Sequence, residues 1–401
     1  TCIFDAYGTL FDVAAAARDG GRFGIDVGEV RVDLARVMDH VRAAIRHIEP
    51  HDSPASIEEV GASVLAGRVR LTGPTSAEAR HPDGTSTPLR FRHAVLATGA
   101  APRQLPVDGV DLKGVMSFRD LHDVRTLLSL PPGRVVVVGG GFLGLEAADA
   151  LVKQGHDVTL VHSRGHLLNQ QLDEAAGHRL QQDLEARGLK FVMKARTQTI
   201  EDNGRGAVAA VQLGDGQRLP ADYVVQAVGI VPRMALAEQA GLTVNQGIRV
   251  DDTLQTFDPA IYAIGECVEH RQRTFGLVAP LYEQAAVCAS HLAELGHRRY
   301  LYADSATRLK ISGIDLVSFG DFSGEGDTLQ LSLPGSYCRL QLCDNRITGM
   351  VLYGSVAEAP FYESLWRNRT DISAVRSSLL LGEAFCNLPA PGDDNQENLA
   401  A

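Results

Sequence analysis

Several chemistries are missing from this sequence. Its six cysteines (Cys2, Cys267, Cys288, Cys338, Cys343 and Cys386) form no CxxC and no metal-ligand quartet, and its 13 histidines fall in no HExxH or paired-ligand spacing. Zinc sites and disulfide scaffolds are therefore not expected, and no metal ligand is assigned. Cys338 and Cys343 stand five apart, but the surrounding YCRLQLCDN alternates like a strand, so all six are read as reduced structural thiols. No apolar run approaches the roughly 20 residues of a membrane span. The chain does not open with a basic stretch leading into an apolar one, so neither a membrane anchor nor a signal peptide is expected. Basic excess is missing too. A formal charge of −11 and a pI of about 5.6 argue against nucleic acid or an anionic membrane as main partner. What is left is a cytoplasmic globular protein with an ordinary 45% hydrophobic and 22% charged content. Its 401 residues suffice for two or three domains with cores of their own.

What is present is organised around residues 134–164, RVVVVGGGFLGLEAADALVKQGHDVTLVHSR. Four consecutive valines, 135–138, read as a strand buried on both faces. Gly139, Gly141 and Gly144 follow in the order GxGxxG, residues 145–153 are helix-forming, Gly155 stops the helix, and residues 157–161 are a second apolar strand. This is a complete βαβ unit. The first glycine makes the tight turn, the second lets backbone approach a pyrophosphate, and the third lets helix and strand pack closely. The helix N-terminus adds free N–H groups and a positive dipole end.

On either side the texture varies. Residues 1–18, TCIFDAYGTLFDVAAAAR, put Asp5 at the end of a short apolar strand and resemble the opening motif of the haloacid dehalogenase family. None of that family's later motifs follows, so Asp5 is expected to be catalytically idle. Residues 32–49 predict an amphipathic helix with its stripe at Val37, Val41, Ala44, Ile45 and Ile48. Short strands are expected around 63–65 and 69–71, then a Pro/Gly/Ser/Thr-rich loop over 73–88 and a buried strand over 91–98. This block resembles the FAD domain of flavoprotein disulfide reductases, mercuric-reductase-like members in particular, in IEPHDSPASIEEVGASVLAGRVRL and in its ATG turn. That family's first GxGxxG and its CxxxxC redox pair are not found upstream.

From residue 115 the chain reads as one continuous relative. A helix over 117–130 ends at Pro131-Pro132-Gly133, and a helix over 173–187 is closed by Gly188. A strand follows at 190–193, an antiparallel hairpin region over 204–216, and strands at 223–228 and 258–265. The strings AVGIVPR, DPAIYAIGE, GLVAPLYEQAAV, LKISGIDLVSFGDF and MVLYGSVAEAPFYESLWRNRTDISAVRSSLLLG resemble the FAD/NAD module of NAD(P)H-dependent nitrite reductase large subunits. Rubredoxin-reductase-like enzymes share the arrangement. The resemblance spans most of residues 115–382 and implies an α/β fold with two dinucleotide-binding, Rossmann-like domains, the NAD domain inserted in the FAD domain, and a C-terminal α/β domain. The implied boundaries are 1–18 for the dehalogenase-like segment, 19–114 and 236–302 for FAD, 115–235 for NAD(P), 303–385 for the C-terminal interface domain, and 386–401 for a polar, disordered tail.

The same resemblance implies the cofactors, FAD and NAD(P)H. FAD would lie against Thr98, Gly99 and Ala100 and against Gly265 and Glu266, whose carboxylate can bond ribityl hydroxyls, and Gly229 of AVGIVPR is a further cofactor contact. Pro280 precedes an apolar helix, 281–295, whose N-terminal dipole would stabilise negative charge on the reduced flavin. NAD(P)H would lie on Gly139, Gly141, Phe142, Leu143 and Gly144, with Glu146 between the nicotinamide and flavin sites. At the end of the second strand His162 replaces the acidic residue expected for the NAD ribose. Arg164 could attract a 2′-phosphate, so the nucleotide is left open, with NADH favoured.

No residue is assigned a catalytic role, because hydride transfer needs only the stacking of two rings. The implied function is passage of electrons from NAD(P)H through flavin to a redox partner, an iron–sulfur or sirohaem-containing protein or domain, as in the electron-input module of assimilatory nitrite reductase. Two alternatives stand beside it: an NAD(P)H-binding protein without catalytic flavin (a truncated or chimeric chain), and a rubredoxin or ferredoxin reductase. Homodimer formation is left open. Because the first phosphate-binding loop is not found, FAD is expected to bind weakly.

Overall fold

The computed structural model describes Arg36, Asp39 and Ala43, and then residues 53–386 apart from 297, 303–305, 312 and 325. The dehalogenase-like segment and the C-terminal tail lie outside the described residues, as does most of the helix expected over 32–49, of which Arg36, Asp39 and Ala43 are helical. The described chain divides into two compact units, one holding residues 104–227 and 306–386, the other residues 53–103 and 228–302. Residues 104–227 are thus inserted between two halves of the second unit. The fold is α/β, as the sequence implied.

In the first unit, five strands form a parallel sheet in the order Val115–Ser117, Tyr223–Gln226, Arg134–Val138, Asp157–His162, Lys190–Met193. The all-valine strand sits at its centre with Val135, Val136 and Val137 at most 1% exposed, which is why it carries no alternation of polar residues. The helix expected over 117–130 is shorter, Leu121–Leu128, because residues 115–117 are taken by the edge strand and Asp120 forms a capping box with Asp123. The hairpin region becomes a three-stranded antiparallel sheet, Thr197–Asp202, Val208–Leu213 and Arg218–Pro220. The C-terminal part is a five-stranded antiparallel sheet, Thr307–Ile311 through Arg346–Tyr353, flanked by the helix Ala359–Arg367. One hydrophobic core joins this sheet to the parallel one: Val137, Leu145, Leu160 and Val225 cluster with Ile314, Leu316, Val351 and Tyr353.

In the second unit, strands Ala94–Leu96 and Ile261–Ala263 pair in parallel, while Ala100–Pro102 pairs antiparallel with Ile230–Pro232. Three sequence expectations fail here. The supposed loop over 73–88 is largely sheet: Arg68–Gly73, Ser76–Arg80 and Ser86–Arg90 form an antiparallel meander. Its period-two pattern is carried by Ala77 and Ala79, at 5% and 1% exposure, residues too small to register as a hydrophobic face. Residues 63–65 form no strand; they are exposed and have no ladder partner. The last helix begins at Val278, not after Pro280, and runs to Leu292. Pro280 fits in its first turn because the N–H it lacks would have no acceptor there.

Candidate cofactor-binding site

The glycine turn lies in the first unit, between the strand Arg134–Val138 and the helix Phe142–Lys153. Gly139 adopts φ +120°, a conformation costly for any side chain, and donates its N–H to Val161 O at 2.9 Å. Gly144 packs so closely that a Cβ there would stand 1.9 Å from Gly139 O. Gly141 is different: a Cβ on it would meet nothing within 4 Å. It is also the N-cap of the helix and supplies no side-chain hydrogen bond. The first intrahelical bond runs from Leu145 N–H to Gly141 O, 3.0 Å. The N–H groups of Phe142, Leu143 and Gly144 therefore have no acceptor within the helix, and they border the open space at Gly141. A pyrophosphate fits that cradle. Glu146 sits half-buried one turn into the same helix.

His162 closes the neighbouring strand at 8% exposure, with Nδ1 accepting the Gly140 N–H at 3.1 Å. Burial lowers its proton affinity below that of an ordinary histidine. It faces the turn's own backbone. Arg164, two residues on, is exposed.

The remaining predicted residues fall in the second unit. Because Ala94–Leu96 and Ile261–Ala263 run parallel, their C-terminal ends lie side by side, and ligands of α/β sheets bind beyond such ends. Thr98, Gly99 and Ala100 follow the first strand. Thr98 donates Oγ1–H to Arg233 O at 2.6 Å, and Gly99 O accepts the Arg233 N–H at 2.9 Å. Gly265 and Glu266 follow the second strand. Gly265 holds φ +89°, and a Cβ there would meet nothing within 4 Å. Ile264 N–H donates to Leu96 O at 3.0 Å, stitching the two strand ends together. Gly229 precedes the strand Ile230–Pro232 and accepts from Arg103 N–H at 2.9 Å.

Sequence reasoning missed Gln284. It is fully buried on the helix Val278–Leu292, and its Oε1 accepts the Gly265 N–H at 2.7 Å. Its Nε2 and the Tyr300 hydroxyl are buried near each other without a well-formed hydrogen bond. A signal for it did exist: Gln284 falls on the same stripe as the buried Pro280, Val287 and Cys288, so a polar side chain was bound to face the interior.

Among the described residues five cysteines are free and no group of His, Cys, Asp or Glu could hold a metal ion. Burial pushes the Cys288 thiol up, and the Cys338 thiol up to about 12, so neither is a ready thiolate. Cys338 and Cys343 share the strand Ser336–Cys343. An odd separation puts them on opposite faces, so they cannot form a dithiol couple. No helix among the described residues is long and apolar enough to cross a membrane.

The pyridine nucleotide-disulphide oxidoreductase family model matches residues 34–291, which takes in both the glycine turn and the second unit's strand ends. The chain belongs to that family. A second model, the rubredoxin NAD+ reductase C-terminal domain, matches residues 306–370. Among relatives of this pyridine nucleotide-disulphide oxidoreductase, nitrite reductase [NAD(P)H] of Bacillus subtilis is 41% identical over 289 residues, 71% of this chain and 36% of that protein. The assimilatory nitrate reductase electron transfer subunit of the same organism is 36% identical over 313 residues, 75% of this chain and 40% of that protein. The chain thus spans about two-fifths of these curated relatives or less. The crystal structure of the covalent putidaredoxin reductase–putidaredoxin complex superposes with a TM-score of 0.69 at 25% identity, covering 82% of this chain and 81% of that one. The matching families lend no support to the dehalogenase-like reading of residues 1–18 or the mercuric-reductase-like reading of the block after it.

Proposed function

We propose that the chain is the FAD-dependent module that takes electrons from NAD(P)H and delivers them to a redox partner. The carrying observation is the cradle at Gly141: an uncrowded glycine at the uncapped N-terminus of a 12-residue helix, shaped for a dinucleotide pyrophosphate. Phe142, Leu143 and Gly144 offer backbone N–H groups to that pyrophosphate. Gly139 sets the turn, Glu146 lies towards the nicotinamide end, and exposed Arg164 is free to meet the adenosine ribose or its phosphate. Thr98, Gly99, Ala100, Gly229, Gly265 and Glu266 line the place for FAD, with the N-terminus of the helix carrying Pro280 adding positive dipole. Bound FAD supplies the conversion of two-electron hydride chemistry into single electrons. The protein's own work is to bind, orient and exclude water; no side chain is needed to move a proton. Electrons leave through a partner, an iron–sulfur or sirohaem-containing protein or domain.

The C-terminal match favours a second reading, a reductase serving a rubredoxin or ferredoxin. NADH oxidation by the purified protein with ferricyanide as acceptor, with and without added FAD, tests the shared core of both. Turnover that depends on FAD is expected. Nucleotide binding without FAD-dependent turnover would leave a nucleotide-binding protein without catalytic flavin. A panel of iron–sulfur, sirohaem and rubredoxin acceptors then separates the two partner assignments.

A further inference from the structure

The glycine turn is held from one side by a single histidine. Gly140, its central residue, has both backbone groups engaged: its N–H donates to His162 Nδ1 at 3.1 Å, and its carbonyl accepts from Leu168 N–H at 3.0 Å. The ring lies against the turn so closely that a Cβ on Gly140 would stand 2.7 Å from His162 Cγ. The histidine is anchored in turn, its carbonyl accepting the Ala195 N–H at 3.0 Å. A ring nitrogen that accepts a hydrogen bond carries no proton, so the ring is neutral with its hydrogen on Nε2. Dinucleotide-binding units usually end this strand with an acidic side chain that reaches the ribose. Here the side chain is turned inward onto the loop.

We propose that His162 is a positioning residue for the nucleotide: its neutral imidazole latches the Gly140 amide, and protonation of the ring releases the turn, so that nucleotide affinity falls on acidification. This rests on the reading of the turn as a nucleotide site. On protonation Nδ1–H would confront the Gly140 N–H, two donors face to face, in a place too buried for water to separate them. The turn must then shift, and the N–H groups of residues 142–144 lose their common aim. Around the ring, burial is the main force keeping it neutral. The charges of His166 and Arg164 act in the same direction, while the Asn169 side chain and the His166 backbone favour the charged form. The strand Lys190–Met193 brings only Met193 opposite His162, and the turn itself brings only backbone.

The alternative, that cationic His162 or His166 attracts phosphate directly, has the opposite sign, because acidification would then strengthen binding. Calorimetric titration with ADP-ribose, which has no phosphate ionising in this range, decides between them over about pH 8 to about pH 5, where histidine charge changes. A rise in Kd of roughly three- to tenfold towards acid is expected, the worth of one hydrogen bond. His162→Asn keeps an acceptor oxygen where Nδ1 stands and cannot titrate. It should hold the parent's neutral-pH affinity and flatten the profile, whereas His162→Leu should bind weakly at every pH. Nitrogen NMR of the ligand-free parent should show Nδ1 unprotonated and Nε2 protonated at neutral pH. An Nδ1-protonated ring, or an affinity that is constant or rises towards acid in the parent, overturns the latch. Absence of ADP-ribose binding at all pH values overturns the nucleotide site itself, and the NMR tautomer still judges the latch separately.

Discussion

Tyr337 donates its hydroxyl proton to Asp173 Oδ2 at 2.6 Å, so a strand of the C-terminal sheet holds the cap of the helix Glu174–Glu185 in the nucleotide-binding part. Asp173 is the N-cap of that helix, its Oδ1 accepting from Ala176 N–H, and Arg339 stands 3.6 Å from its Oδ2. Farther along, Tyr353 donates to Asp183, and Arg179 lies over the Tyr337 ring while bonding Ser332. Burial, the largest cause, pushes the Tyr337 hydroxyl well above its usual range, and Asp173 adds to it. Tyr337→Phe leaves a carboxylate with 10% side-chain exposure short of one donor, and should cost about 1–3 kcal/mol. A urea midpoint lowered to match, with ADP-ribose affinity kept, is the expected result.

Gly141 and Gly144 answer to different demands, and substitution separates them. Gly141 has ordinary φ of −89° and open space at its Cα. Gly141→Val should therefore fold normally yet weaken NADH binding by about 2 kcal/mol or more, because the branched side chain occupies the pyrophosphate cradle. Gly144→Ala forces a methyl against Gly139 O and should lower the thermal midpoint before binding is even considered. Equal NADH affinity for Gly141→Val and parent, by calorimetry, would place the nucleotide elsewhere.

Gln284 anchors the loop proposed for flavin. Gln284→Leu leaves the Gly265 N–H without its acceptor, a loss of roughly 1–3 kcal/mol. The expected outcome is a lower urea midpoint together with weaker FAD binding, because Gly265 loses the bond that holds it. A variant that matches the parent in both would reduce the contact to an incidental one.

The legible parts of this protein were those where one local rule ruled. Four valines announce a doubly buried strand, and the glycine spacing announces the turn; both elements formed where expected. The strand Lys190–Met193 and the strand through Cys338 and Cys343 were read for the same reason, an unbroken apolar or alternating pattern. Where sequence reading failed, the deciding contact lay outside the segment itself. Ser76–Arg80 is a strand because Arg68–Gly73 and Ser86–Arg90 flank it, and its alanines give no propensity signal of their own. Val115–Ser117 belongs to a sheet only through pairing with Tyr223–Gln226, more than a hundred residues on. His162 was legible as a non-acidic strand end, but its inward turn onto Gly140 depends on the close approach that only a glycine permits. Gln284 showed in the sequence only as a polar residue on a buried stripe, because its partner is a backbone N–H.

The central claim is that this chain moves electrons from a nicotinamide nucleotide into a flavin. The measurement that meets it most directly is the visible spectrum of the FAD-supplemented protein, under anaerobic conditions, during titration with NADH. The account predicts that the flavin absorbance bleaches as NADH is added, reaching its end point at about one equivalent per bound FAD. It also predicts that Gly141→Val needs far more NADH to reach the same end point. Bound FAD that keeps its full absorbance in the presence of saturating NADH would contradict it.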